Sequence, residues 1–183
     1  MKKRAQIAVE YIIIITIAMS IVIAGTYFFR SYLFESNDRI LESKLADVSS
    51  QIMVKARKMY YYGAPSKSVT SVNMPSQVDQ MFIASFLDND PAKDEYYIGY
   101  LIRTSNGVRE ITFQSDIPIM VATPTDCSAI PEICEQHPAN KQVDCKCFEE
   151  RYYSRGEKNF ITEAQDTCAY IRQRPSCVTI ELS

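Results

Sequence analysis

Residues 11–29 form a run of nineteen positions without one charged side chain. Ile, Val, Ala and Phe dominate it, so it is apolar on every side of a helix. About 20 residues at roughly 1.5 Å each span the ~30 Å core of a bilayer. No head of ordinary size can bury such a segment all round, so it requires lipid or a bundle of similar helices. A secretory signal would have an apolar stretch of only about 7–15 residues with small residues at its end. Ala24-Gly25 imitates such an end, but Tyr27-Phe28-Phe29-Arg30 carries the helical pattern past it. Lys2, Lys3 and Arg4 precede the run, which by the positive-inside rule holds that end in the cytoplasm.

Beyond Arg30 the pattern becomes amphipathic. Leu41, Leu45, Val48, Ile52, Ala56 and Met59 recur at spacings of three and four, with Glu42, Lys44, Asp47, Lys55, Arg57 and Lys58 on the wet face. Gly63 and Pro65 end the helix in the expected order, and Ser36-Asn37-Asp38 is its weakest stretch. Unbroken from Gln6 to Tyr62, it would be roughly 85 Å long.

After Pro65 the chain reads as short strands at 69–72, 81–87, 96–104, 108–113, 117–121 and 177–182. A turn at Asn106-Gly107 predicts a hairpin with Ile102 facing Ile111, Tyr100 facing Phe113, and Arg103 meeting Glu110 on the other side. Asp88-Asn89-Asp90-Pro91 reads as a loop. The expected fold class is α+β, a long N-terminal hydrophobic/amphipathic helix packed on a small antiparallel β-sheet head.

The six cysteines, Cys127, Cys134, Cys145, Cys147, Cys168 and Cys177, all fall in the last third of the chain. Their even number, on the outer side of a membrane, predicts disulfides, with Cys145 and Cys147 taking different partners. Six cysteines allow 15 pairings, and the sequence does not choose among them. The competing arrangement is zinc held by Cys134, His137, Cys145 and Cys147, but the spacing fits no common zinc ribbon. No metal or other cofactor is expected.

Nothing in the sequence points to catalysis. There is no glycine-rich phosphate loop, nucleophile motif or paired carboxylate frame, and the single histidine, His137, leaves little room for a triad. A formal charge of −2 gives no electrostatic case for nucleic acid. Tyr60-Tyr61-Tyr62, Tyr96-Tyr97 and Tyr152-Tyr153 are contact candidates, though such doublets ordinarily straddle a sheet.

Glu10, beside the apolar run, is the anomaly. A carboxylate costs about 2.5–3.5 kcal/mol at a bilayer centre and less at its edge. Hydration at the interface would satisfy it; so would a nearby cation. Cleavage between Ala5 and Gln6 would create an α-amino group four residues away. The segment Gln6-Ile7-Ala8-Val9-Glu10-Tyr11-Ile12-Ile13-Ile14 resembles the Q-x-S-x-E-x-x-x-L signature of archaeal class III signal peptides on type IV pilin-like proteins. Ala8 stands for Ser and Ile14 for Leu, and the resemblance covers only about the first 30 residues. It implies removal of the basic leader before Gln6 by a membrane-embedded prepilin peptidase. It also implies that Gln6 and Glu10 act in assembly of an extracellular filament. Archaellins usually lack the glutamate, so Glu10 favours a pilus or adhesin, built by pilus assembly machinery from identical or related pilin subunits.

The resulting division is a leader at 1–5, a membrane or filament-core helix at 6–30, an amphipathic helix at 31–63, and an extracellular β-rich head at 64–183. The cysteine-rich part of the head spans 127–177. Loss of Lys2, Lys3 and Arg4 would take the formal charge from −2 to −5. The expected location is the membrane first and the cell surface afterwards. The alternative is an uncleaved, singly anchored ectodomain that binds a ligand or partner.

Overall fold

The computed structural model describes residues 2–104, 107–135, 141–149, 156–166, 168 and 176–182, with side chains from Glu10 onward except at 31, 34 and 91. Asn106, His137, Pro138, Tyr152 and Tyr153 lie outside the described residues. Helix α1 runs Lys2–Tyr62, and the chain divides into two compact units, Met1–Ile40 and Leu41–Ser183. Helical structure is continuous through Ser36-Asn37-Asp38, a stretch bridged by Arg39 Nη2 and Glu35 Oε1 at 2.7 Å. Gly63, at φ +73°, takes the left-handed turn that ends α1 and donates its N–H to Met59 O at 3.1 Å.

In the second unit, α1 is followed by β1 (Lys67–Met74), β2 (Val78–Leu87), β3 (Glu95–Thr104), β4 (Gly107–Ser115) and β5 (Ile119–Val121). Then come the single turn α2 (Glu132–Glu135), β6 (Gln142–Cys147), β7 (Gly156–Gln165) and β8 (Cys177–Leu182). The expected α+β arrangement is present, but with two four-stranded sheets in place of one. They run β1-β7-β8-β5 and β4-β3-β2-β6, antiparallel apart from the parallel β5·β8 pair. The 88–94 loop is closed by its own aspartates, with Asp90 N donating to Asp88 Oδ1 at 3.0 Å and Asp88 N to Asp94 Oδ1 at 2.9 Å.

All six stripe residues of α1, from Leu41 to Met59, are buried. They share one core with Val72, Phe160, Ile180 and Leu182 from the first sheet and Met81, Ile98, Tyr100 and Ile102 from the second. Each large apolar side chain so buried stabilises the head by about 1.5–3 kcal/mol. The second sheet also buries its other face. Phe82, Ala84, Phe86, Leu101 and Cys147 form a smaller cluster there, flanked by Tyr97, Cys127, Ile133, Cys134, Val143 and Cys145. The segment 122–135 flanks this outer face.

The β3–β4 hairpin is real, but its register differs from the expected one by two residues. Tyr100 lies opposite Ile111, Ile98 opposite Phe113, and Ile102 opposite Arg109. Thr104 pairs with Gly107, so the reversal falls one residue earlier than Asn106-Gly107 and Gly107 begins β4 at φ +121°. A slip of two keeps each side chain on its expected face, because the strand period is two. It does break the Arg103–Glu110 pairing. Arg103 instead meets Asp79 at 3.0 Å, Glu110 holds α2, and Arg109 on the core-facing side reaches Glu42 of α1.

Candidate functional site

Two regions carry the functional expectations, the first unit of α1 and the cysteine-rich layer. Every large apolar side chain described from Tyr11 to Leu33 is exposed, from 44% at Leu33 to 74% at Tyr27. Among the described residues this is the one helix long and apolar enough to cross a membrane, and none of its most apolar window is buried. The threonine and serine hydroxyls in the run are spent internally. Thr16 Oγ1 donates to Ile12 O at 2.8 Å, Ser20 Oγ to Thr16 O at 2.8 Å, and Thr26 Oγ1 to Val22 O at 2.7 Å. Bonding to the carbonyl four residues back removes their need for water, as a hydrocarbon setting requires. Glu10 is exposed, and the Ala5–Gln6 peptide lies within the helical backbone.

All six cysteines are paired: Cys127–Cys147, Cys134–Cys145 and Cys168–Cys177. Cys145 and Cys147 do take different partners. The zinc alternative loses its thiolates to these bonds, and among the described residues no cluster of three His, Cys, Asp or Glu groups is placed to hold a metal. Disulfides fit an oxidising, extracellular setting, and the exposed apolar helix fits membrane anchoring.

No family model, curated protein or solved structure matches this chain.

The outer layer is built by strand alternation. Val143, Cys145 and Cys147 of β6 lie opposite Phe86, Ala84 and Phe82 of β2, so both disulfides on β6 sit over the sheet's outer face. A bulge between Val78 and Gln80 changes the side-chain sequence of β2. Val78 enters the helix-facing core, whereas Gln80, two residues on, joins the outer layer. There the buried Gln80 amide is fully used. Its Oε1 accepts from Ser128 Oγ at 2.6 Å and Ala129 N at 3.1 Å; its Nε2 donates to Ala129 O at 2.8 Å and Cys147 Sγ at 3.1 Å.

Glu110 provides a second clasp, accepting from the backbone N–H of Glu132 at 2.5 Å and of Ile133 at 3.2 Å. Burial pushes its carboxyl above the usual range, partly offset by those backbone donors. Glu95 goes the other way: the Lys141 ammonium, 2.6 Å from Oε1, holds it below the usual range, and the Tyr97 hydroxyl donates to Oε2 at 3.1 Å. Neither Gln80 nor Glu110 stands out as a binding or clasping residue in the sequence. Gln80 stands just before the strand-like run Met81–Leu87 beside Gln77 and Asp79, so nothing local sets it apart.

Of the tyrosine contact candidates, Tyr96 and Tyr97 straddle the sheet, Tyr96 in the main core and Tyr97 edge-on to Phe86 at 5.7 Å in the outer layer. Tyr61 and Tyr62 remain exposed at the end of α1, with Lys58 Nζ 5.5 Å from the Tyr62 ring centre.

Proposed function

We propose that this chain is a subunit of an extracellular type IV pilus-like filament, major or minor, serving adhesion or surface attachment. Prepilin peptidase would release it before Gln6, and the membrane would store it until assembly. The observation that carries this reading is a helix exposed and apolar on all sides in residues 11–29, continuing into a stripe buried by the head's own sheets. Such a surface is not viable in water. It suits lipid before assembly and packing against related helices afterwards, with no change of fold between the two. The sequence around Gln6 and Glu10 supplies the second support, and three disulfides, which fit an extracellular head, the third.

In this reading Glu10 meets the new α-amino group at Gln6, on its own chain or a neighbour's. In a low-dielectric bundle an unpaired carboxylate is costly and a paired one is tolerated. Partners are then related pilin subunits, the peptidase and the assembly machinery, with no catalytic role and no cofactor.

Mass spectrometry of the N-terminus of the membrane-derived protein tests the processing step. A chain starting at Gln6 is expected; one still starting at Met1 or Lys2, monomeric in detergent, favours the anchored ectodomain instead. Glu10→Ala should leave cleavage and the head intact and abolish filaments, and normal filaments from that variant would remove the pairing step.

A further inference from the structure

The outer layer differs from the main core in what holds it. Across 122–135 only Pro131 is buried; Cys127, Ile133 and Cys134 are half-buried and Ile130 is exposed. So thin an apolar contact cannot hold fourteen residues against their chain entropy. Among the described residues the remaining attachments are the Gln80 and Glu110 clasps, a bond from Ala122 N to Ile180 O at 2.9 Å where the segment leaves β5, a reciprocal backbone pair between Thr125 and Cys147 at 3.0 and 3.2 Å joined by Thr125 Oγ1 donating to Cys147 O at 3.1 Å, and the two disulfides. The main core takes no side chain from 122–135 and unites α1 with both sheets.

We propose that residues 122–135 form a redox-dependent strap. Disulfide formation at Cys127–Cys147 and Cys134–Cys145 latches it over Phe82, Phe86, Leu101 and Tyr97, while the helix-facing core folds without it. Each closure oxidises two thiols to one disulfide. Two protons and two electrons pass to a disulfide-bearing oxidant, which leaves as a dithiol. Before oxidation the strap is open and the outer face of β2 and β3 is uncovered; after it the face is sealed. The head thus has two layers with different chemical requirements, one set by apolar burial and one by the redox state of its compartment. The inference is independent of the filament reading, and its test involves no assembly.

The test is limited digestion of the full chain in detergent by a glutamyl endopeptidase, mapped by mass, alongside hydrogen exchange. Glu132 and Glu135 supply cleavage sites inside the strap. In a C168A/C177A chain the latch bonds are the only disulfides left. A phosphine reductant opens each to two thiols, taking an oxygen from water to become the phosphine oxide. Cleavage after Glu132 and Glu135 should then accelerate at least tenfold, while the amides of Phe160 and Ile180 keep their protection. The chain carrying C127A, C134A, C145A and C147A should behave the same way without reductant, with the Cys168–Cys177 bond present. Strap cleavage unchanged by reduction or substitution overturns the proposal. So does loss of protection at Phe160 and Ile180 by the same factor as the strap, including outright failure of the four-alanine chain to fold.

Discussion

Ser49 of α1 donates its hydroxyl hydrogen bond to the Tyr100 hydroxyl of β3 at 2.9 Å, with both residues wholly buried between helix and sheet. It is a polar tie inside an apolar core. Burial pushes the Tyr100 hydroxyl far above the ordinary phenol range, and the Ser49 bond offsets only part of that. Tyr100→Phe removes one partner and leaves the other buried, a change that costs about 1–3 kcal/mol. Ser49→Ala should cost a similar amount, and the double variant less than the two losses added together. Unfolding by denaturant, followed by circular dichroism, measures all three.

The same pair sets an alkaline limit. Because the folded hydroxyl ionises later than the unfolded one, the contribution of Tyr100 is complete below about pH 10 and declines as pH rises beyond it. The slope expected from this group is about 1.4 kcal/mol per pH unit. Tyr100→Phe should flatten that part of the stability profile, and an unchanged slope in the variant would assign the effect to other tyrosines.

Gly99 of β3 lies directly opposite Phe82, whose ring covers it: a Cβ at position 99 would stand 2.2 Å from the ring. Since Phe82 is fully buried, the ring has nowhere to retreat. Gly99→Ala should therefore destabilise the head by about 1–3 kcal/mol through overpacking. Pairing it with Phe82→Leu, which frees space at that point, should recover part of the loss. If the double variant is as unstable as the sum of the singles, the clash is not the cause.

What was legible in the sequence follows the strength of the periodic signal. The α1 stripe repeats at three and four over five intervals, and all six of its residues are buried. Strands β2, β3 and β4 announce themselves by branched and aromatic residues. The hairpin register failed because a two-residue slip leaves every face unchanged, so hydrophobic pattern alone cannot detect it. Strand β6 was hidden because its apolar face is built from Val143, Cys145 and Cys147, where the cysteines read first as cross-links. Strand β7 turns only Phe160, Thr162 and Ala164 inward as buried residues, a weak signal that depends on β1 and β8 on either side. The bulge at Asp79 and the clasp it gives Gln80 are long-range features with no local mark.

Glu110 allows a charge to be separated from a hydrogen bond. Its raised carboxyl means that ionisation is a net cost in the folded head, so its contribution to stability is greatest in acid and declines as pH rises through the folded value. At neutral pH, Glu110→Gln retains a carbonyl oxygen for the N–H groups of Glu132 and Ile133 without the charge. It should leave the melting temperature unchanged or slightly higher. Glu110→Ala abandons both donors and should lower it. A fall with Gln as large as with Ala would mean the charge itself stabilises the start of α2.

The division of α1 at Ile40/Leu41 makes a stronger claim than any point substitution. All helix residues in the main core lie at Leu41 or beyond, while the exposed apolar run is confined to the first unit. A chain of residues 36–183 retains the whole buried stripe, both sheets and all three disulfides. It should fold without detergent, run as a monomer in gel filtration, and unfold cooperatively, because it keeps every helix residue of the main core. The full chain under the same conditions should require detergent, since about 25 cal/mol is at stake for each Å² of apolar surface left in water. If the shortened chain aggregates or lacks a cooperative transition, residues before 36 contribute to the head's stability. The apolar run would then be more than a solvent-facing segment awaiting lipid or other helices.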